Sequence, residues 1–294
     1  SVDSVTWKVV PDDNARNLQI QGGQAQINEN PPFSSVQQLQ GQPGVKVELF
    51  PSTKTDYILM NQKEKPFDDV HVRRAISYAI DREALVKTLL FGNGTPANSF
   101  LMPNVPFYDA KTPGITYDMA KAKEELAQSS VPNGFTTTFL ASSGDTTDQA
   151  LAQGLQSSLK ELGITLKIQN VDPSAAHDLQ DSQKYQISHS YWTMDIADPD
   201  ELVTFAVDPS AGSRSFYTSY DNPQVIADTK KAEQTFDTAG RQVLYSAIQK
   251  QAADDAFLGF LYYSPFSYAF STKVSGFQVY PTGNYHLEDV TLAQ

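Results

Sequence analysis

The chain has no cysteine, which excludes disulfides, thiolate metal sites and cysteine nucleophiles and leaves the redox character of its compartment open. Long apolar runs are also missing: Ala256 to Tyr263 falls far short of the ~20 residues that a membrane-spanning helix needs. Positive charge is scarce, with 22 lysines and arginines against 34 aspartates and glutamates. The net charge of -12 repels phosphate backbones, so neither nucleic acid nor an anionic membrane surface is expected as a partner. His71, His177, His189 and His286 are scattered without ligand spacing, and there is no G-x-S-x-G elbow, phosphate-binding glycine loop or HExxH pair. Ser1 is not followed by a charged and then an apolar stretch, which says nothing about export.

What is present can bury a core: 294 residues, 40% of them hydrophobic, enough for one large or two modest domains. The patterning predicts a mixed α/β chain. Val5 to Val10 reads as a strand, Pro11 to Asn14 as turn and cap before a helix to about Gln21, and Phe33 to Gln40 as a second helix. Strands are expected at Val45 to Phe50 and Tyr57 to Asn61. Val72, Ala75, Ile76, Ala79 and Ile80 form an apolar helical stripe, Asp81 caps the next helix, and Phe100 to Thr116 is loop. Leu151, Leu155, Leu159 and Leu162 recur at helical spacing before the Gly163 stop and a strand from Ile164 to Ile168. A strand from Tyr185 to Trp192 runs into the acidic loop Asp195 to Glu201, helices follow at Pro223 to Phe236 and Gly240 to Ala253, and Phe257 to Tyr263 reads as a buried strand. The tail, Phe277 to Tyr280 and His286 to Leu292, is β-rich.

Several stretches, in order, resemble the peptide-, dipeptide- and nickel-binding proteins of ABC importers, extracytoplasmic solute-binding protein family 5. They are Pro11-Asp12-Asp13-Asn14-Ala15-Arg16, then Pro66-Phe67-Asp68-Asp69 leading into Val72 to Arg82, then Trp192-Thr193-Met194-Asp195-Ile196-Ala197-Asp198-Pro199, with Arg241 to Tyr245 and Leu287 to Val290 in support. The resemblance implies a periplasmic-binding-protein-like α/β fold (type II, cluster C). This chain would hold its large lobe and part of its base domain, with the N-terminal small lobe missing. Residues 1–62 and 267–294 would be base-domain segments and 63–266 the lobe that closes over the ligand. The implied role is capture of a peptide, an oligopeptide rather than a dipeptide, for delivery to ABC permease subunits in the membrane. The implied location is extracytoplasmic, in the periplasm or on the outer face through a lipid anchor on the missing N-terminus. A monomer with no cofactor, no metal and no enzymatic activity is expected.

The resemblance assigns ligand contacts to Trp192, Met194, Asp195, Ile196 and Arg214. In peptide-binding relatives the aspartate matching Asp195 pairs with the ligand's α-amino group. Trp192 matches a cleft-lining tryptophan of nickel-binding relatives and reads equally as a core residue. Where those relatives have tyrosine the chain has Ile196, which weakens a nickel reading. Ala141 to Thr147, where dipeptide-specific relatives hold the ligand carboxylate with an arginine, has no basic residue, and Arg214 is a candidate replacement. Asp198, followed by Pro199, Asp200 and Glu201, fits a helix cap with acidic residues in the first turn. Other readings remain at this stage: an oligosaccharide or nickel-complex ligand, a sensory receptor of the same fold, or Asp195 and Asp198 as a glycosidase acid/base pair. As a calcium site, Asp195, Asp198, Asp200 and Glu201 lack EF-hand spacing and its glycine.

Overall fold

The computed structural model describes residues 2–196, 198–212 and 215–293, and for Phe216 the backbone only. Aspartate capping organises the helices. The first backbone N–H groups of a helix have no partner within it, and a short carboxylate side chain folds back onto them. Asp12 does this for α1 (Asp13–Gln21), Asp69 for α3 (Val70–Tyr78), Asp81 for α4 (Arg82–Thr88), Asp118 for α5 (Met119–Gln128) and Asp145 for α6 (Thr146–Lys160). Asp172 caps α7 (Pro173–Asp181), Asp198 α8 (Pro199–Val207), Asn222 α9 (Pro223–Glu233) and Asp237 α10 (Thr238–Asp254). Proline stands at the first turn of α7, α8 and α9, where its missing N–H costs nothing. Only α2 (Phe33–Gln40), which follows Pro32, has no side-chain cap among these helices.

A six-stranded sheet forms the centre. Its strands are β3 (Thr55–Met60), β4 (Thr95–Pro96), β5 (Thr136–Ser142), β6 (Thr165–Val171), β7 (Ile187–Trp192) and β8 (Leu258–Tyr263), in the order β4-β8-β3-β7-β5-β6. The pairs β5–β6 and β5–β7 are parallel; β3 runs antiparallel to β7 and β8. Side chains alternate between two covered faces. Ile58, Met60, Phe139 and Leu261 meet the helix residues Val72, Ile76, Leu126, Leu151 and Leu155 on one face. Tyr57, Leu59, Leu140 and Phe260 meet Leu202, Val203, Val225, Tyr245 and Ile248 on the other. The ten side chains expected in the core, Val72, Ala75, Ile76, Ala79, Ile80, Leu151, Leu155, Leu159, Leu258 and Phe260, are all buried, none more than 4% exposed. Each contributes roughly 1 to 3 kcal/mol of apolar transfer.

A second, three-stranded sheet places β9 (Phe266–Ser271) between β1 (Ile27–Glu29) and β2 (Val45–Phe50). Two short ladders complete the tail: β10 (Val274–Ser275) with β13 (Thr291–Leu292), and β11 (Gln278–Val279) with β12 (Tyr285–His286). The two sheets share a ribbon. Phe50 pairs with Phe266 and Thr55 with Tyr263, so β2 runs on into β3 while β8 runs on into β9 alongside. Between those pairs, residues 51–54 face residues 264 and 265, and unequal lengths of this kind bend a ribbon as a bulge does.

One expectation is corrected. Val5 to Val10 joins no ladder, with Trp7 63% and Val9 93% exposed, because alternation supplies a face but not a partner strand. β1 and β9 were not expected. β3 is an inner strand of the six-stranded sheet, and all six of its residues are buried.

Candidate functional site

The parallel strands β5, β6 and β7 all end at one edge of the sheet, at Ser142, Val171 and Trp192. The antiparallel β3 starts and β8 finishes at that same edge, since Thr55 pairs with both Trp192 and Tyr263. Ligands of open α/β sheets bind beyond such carboxyl ends. From Trp192 the chain leaves the sheet and enters α8 at Pro199.

The Trp192 indole is half-buried, 6.0 Å from the Phe205 ring of α8 at 37°, and it packs on the core beneath α8 and α10. The Met194 side chain is 1% exposed and belongs to that core, while its backbone N–H donates to Thr53 Oγ1 at 3.0 Å. Asp195 and Ile196 are exposed, Ile196 by 54%. Glu201 reaches back from the first turn of α8, and its Oε2 accepts the N–H of Asp195 at 3.1 Å and that of Ile196 at 3.4 Å. Partial burial and the neighbouring Asp195 carboxylate together hold the Glu201 carboxyl above its ordinary range. No cation among the described residues pairs with Asp195. Two carboxyl groups thus sit together at an aromatic-lined strand end, an arrangement suited to accepting hydrogen bonds from an ammonium. Arg214 lies outside the described residues.

Asp198 proves structural. Besides capping α8 it holds Arg241 through both oxygens, at 2.9 and 3.1 Å, and that pairing keeps its carboxyl below the usual range. The Arg241 guanidinium lies 4.8 Å from the Phe107 ring centroid and 5.4 Å from that of Tyr245. Burial raises the Tyr245 phenol to about 12, and its hydroxyl donates to Asp200 at 3.3 Å. With Asp198 committed to a cap and an arginine, the acid/base pair considered from sequence loses its partner for Asp195. Among the described residues no three histidines, aspartates or glutamates are grouped to hold a metal ion.

Sequence spacing gave no signal for a charge chain on the other face of β7. His189 Nδ1 lies 2.7 Å from Asp148 and Nε2 3.3 Å from Asp56; Lys54 Nζ is 3.4 Å from Asp56 and 4.3 Å from the Tyr191 ring centroid. Burial alone would depress the His189 imidazole, but the hydrogen bond to Asp148 and the nearby Asp56 carboxylate push it up to about 10. The chain borders a cavity of about 210 Å³ that also touches Arg16, Asp145 and Ser264. A larger cavity, about 790 Å³, is built by other elements, with Trp7, Ile27, Phe277 and Tyr285 among its walls; it does not include the strand-end loop.

Comparison with known proteins decides the lineage. The family model described as bacterial extracellular solute-binding proteins, family 5 Middle, matches residues 1–214. The chain belongs to this family. Among curated relatives, the glutathione-binding protein GsiB of Pectobacterium atrosepticum is 34% identical over 303 residues, covering 100% of this chain and 58% of that protein. The chain thus spans under two thirds of the length of the relatives it matches. Two solved structures are similar in fold. The ABC transporter-associated periplasmic binding protein DppA from Helicobacter pylori, in complex with peptide STSA, gives a TM-score of 0.88 at 26% identity over 98% of this chain and 56% of that one. The oligopeptide-binding protein AppA from Bacillus subtilis, in complex with a nonapeptide, gives 0.88 at 26% over 97% and 60%.

Proposed function

We propose that this chain forms the large lobe and part of the base of the substrate-binding component of an ABC importer. That protein captures a peptide by its free α-amino group outside the cytoplasm and delivers it, as a monomer, to membrane permease subunits. We place the boundaries between base and lobe at the two crossings, 51–54 and 264–265. The reading is supported by relatives named for glutathione and for peptides, and by structural neighbours holding a tetrapeptide and a nonapeptide. One observation carries it: Asp195 is an exposed carboxylate, without a cationic partner among the described residues, beside Trp192 at the sheet end. The loop after β5 contains no basic residue, and Asp145 there caps α6 instead, which favours an oligopeptide over a dipeptide held by its carboxylate.

Because the chain covers 58% of its relatives, binding is tested on the full-length protein. Calorimetry should show the tetrapeptide STSA binding better than its N-acetylated form. Truncating one partner of a desolvated charge pair costs ~2 to 5 kcal/mol, so Asp195→Asn should weaken STSA about thirtyfold or more and change the acetylated peptide little. A mutant that binds STSA like wild type removes the amine contact and makes a neutral ligand, such as an oligosaccharide, the better reading. Glutathione and a dipeptide complete the panel, and the tightest binder fixes ligand length.

A further inference from the structure

Thr53 lies in the crossing between β2 and β3, two residues before the β3–β7 ladder begins at the pair Thr55 and Trp192. In-register continuation of that ladder would set Thr53 opposite Met194. The backbone of Thr53 is engaged elsewhere, its N–H donating to the carbonyl of Pro281 at 2.7 Å. Its side chain takes over. The hydroxyl accepts the Met194 N–H at 3.0 Å and donates its own proton to Pro281 O at 3.1 Å, so both roles of one hydroxyl are filled. Pro281 belongs to the tail hairpin between β11 and β12, where Tyr280 N–H bonds Asn284 O and Gly283 N–H bonds Tyr280 O. One side chain therefore joins the crossing, the tail and the residue immediately before Asp195.

The neighbours of Thr53 fix where its hydroxyl sits. On one side the Ser52 hydroxyl is bonded to Ser264 O and accepts the Lys54 N–H at 3.0 Å, and Asn104 Nδ2 donates to Ser52 O at 3.0 Å. On the other, the Lys54 ammonium is held by Asp56 and the Tyr191 ring. On the far side of the strand-end loop, Glu201 holds the N–H groups of Asp195 and Ile196. Three consecutive loop N–H groups are thus held by two side chains, Glu201 of the helix that follows the loop and Thr53 of a segment distant in sequence.

We propose that Thr53 is a positioning residue for ligand binding: its hydroxyl sets where Asp195 meets the ligand ammonium and makes that position depend on the tail that carries Pro281. The proposal rests on the reading of Asp195 given above. Amide exchange tests the clamp without ligand, and calorimetry on the full-length protein tests its effect on binding. Loss of one hydrogen bond changes an equilibrium about two- to tenfold. In Thr53→Val, near-isosteric without the hydroxyl, the Met194 amide should exchange faster by that factor, while the Asp195 and Ile196 amides keep their wild-type rates. STSA should bind about two- to tenfold more weakly and N-acetyl-STSA should stay within twofold. Thr53→Ser, which keeps the hydroxyl, should restore both readouts. Unchanged Met194 exchange in Thr53→Val overturns the clamp. Equal loss for both peptides, or failure of Thr53→Ser to restore, overturns the positioning role, since general destabilisation does not distinguish a free from a blocked amine. If wild type binds neither peptide, the reading of Asp195 fails, the positioning role falls with it, and the exchange result alone decides whether the clamp exists.

Discussion

His189 and Asp195 stand six residues apart on β7 and the loop that follows, and their surroundings are opposite. The His189 side chain, 11% exposed, lies between Asp148 and Asp56, with Lys54 beyond, so each charge in the cluster has a counter-charge. Asp195 is exposed, and Glu201, which accepts its N–H, has the same sign. A charge already matched inside the fold has little left to offer a ligand, whereas a carboxylate at a strand end without a cation gains from meeting one.

The largest effect should come from breaking the buried side. His189→Leu leaves Asp56 and Asp148, 1% and 6% exposed, without the imidazolium between them. Removing one partner of a buried pair costs about 3 to 5 kcal/mol, readable as a shifted midpoint in urea denaturation. Titration sharpens the same point. With the His189 imidazole raised from 6.5 to about 10, its contribution is complete below pH 6.5 and is lost as pH rises through 10. Melting curves should show stability falling across that window, by at most about 1.4 kcal/mol per pH unit from this group. A flat profile from pH 7 to 10 would contradict the protonated imidazole.

Asp198→Ala comes next. It removes the α8 cap and a partly exposed pairing with Arg241, for a loss of about 1 kcal/mol by denaturation. Smallest of all is the stability effect of Asp195→Asn, within about 0.5 kcal/mol, as for surface positions free of caps and pairs. A large loss of stability there would move Asp195 from the binding side of the comparison to the structural side.

Local chemistry was legible and long-range pairing was not. Asp12, Asp81, Asp118 and Asp198 announce helix starts because a cap acts within three residues of itself. The stripe from Val72 to Ile80 announces its buried face for the same reason. Strands depend on distant partners: Val5 to Val10 alternates yet joins no ladder, while Phe266 to Ser271 follows Pro265 so closely that it merges in sequence with β8. At the site, Asp195 stood out because it falls outside the cap pattern of its neighbours. Met194 shared its motif but not its environment, since burial is set by α8 folding back over it. The contact of Thr53 with Met194 joins residues 141 positions apart, and no spacing rule reaches that far.

The shared ribbon of β2–β3 and β8–β9 has a mechanical consequence. Two hydrogen-bonded strands crossing side by side behave as a flat strap. Such a strap flexes out of its own plane at little cost, because φ and ψ rotations absorb the bend, but edgewise bending would stretch the bonds between its strands. The Ser52 hydroxyl on Ser264 O and the Ser264 hydroxyl on Asp56 at 2.8 Å stitch the strap where it kinks. An out-of-plane swing at residues 51–54 and 264–265 is the motion such a strap resists least, and Thr53 lies within that stretch.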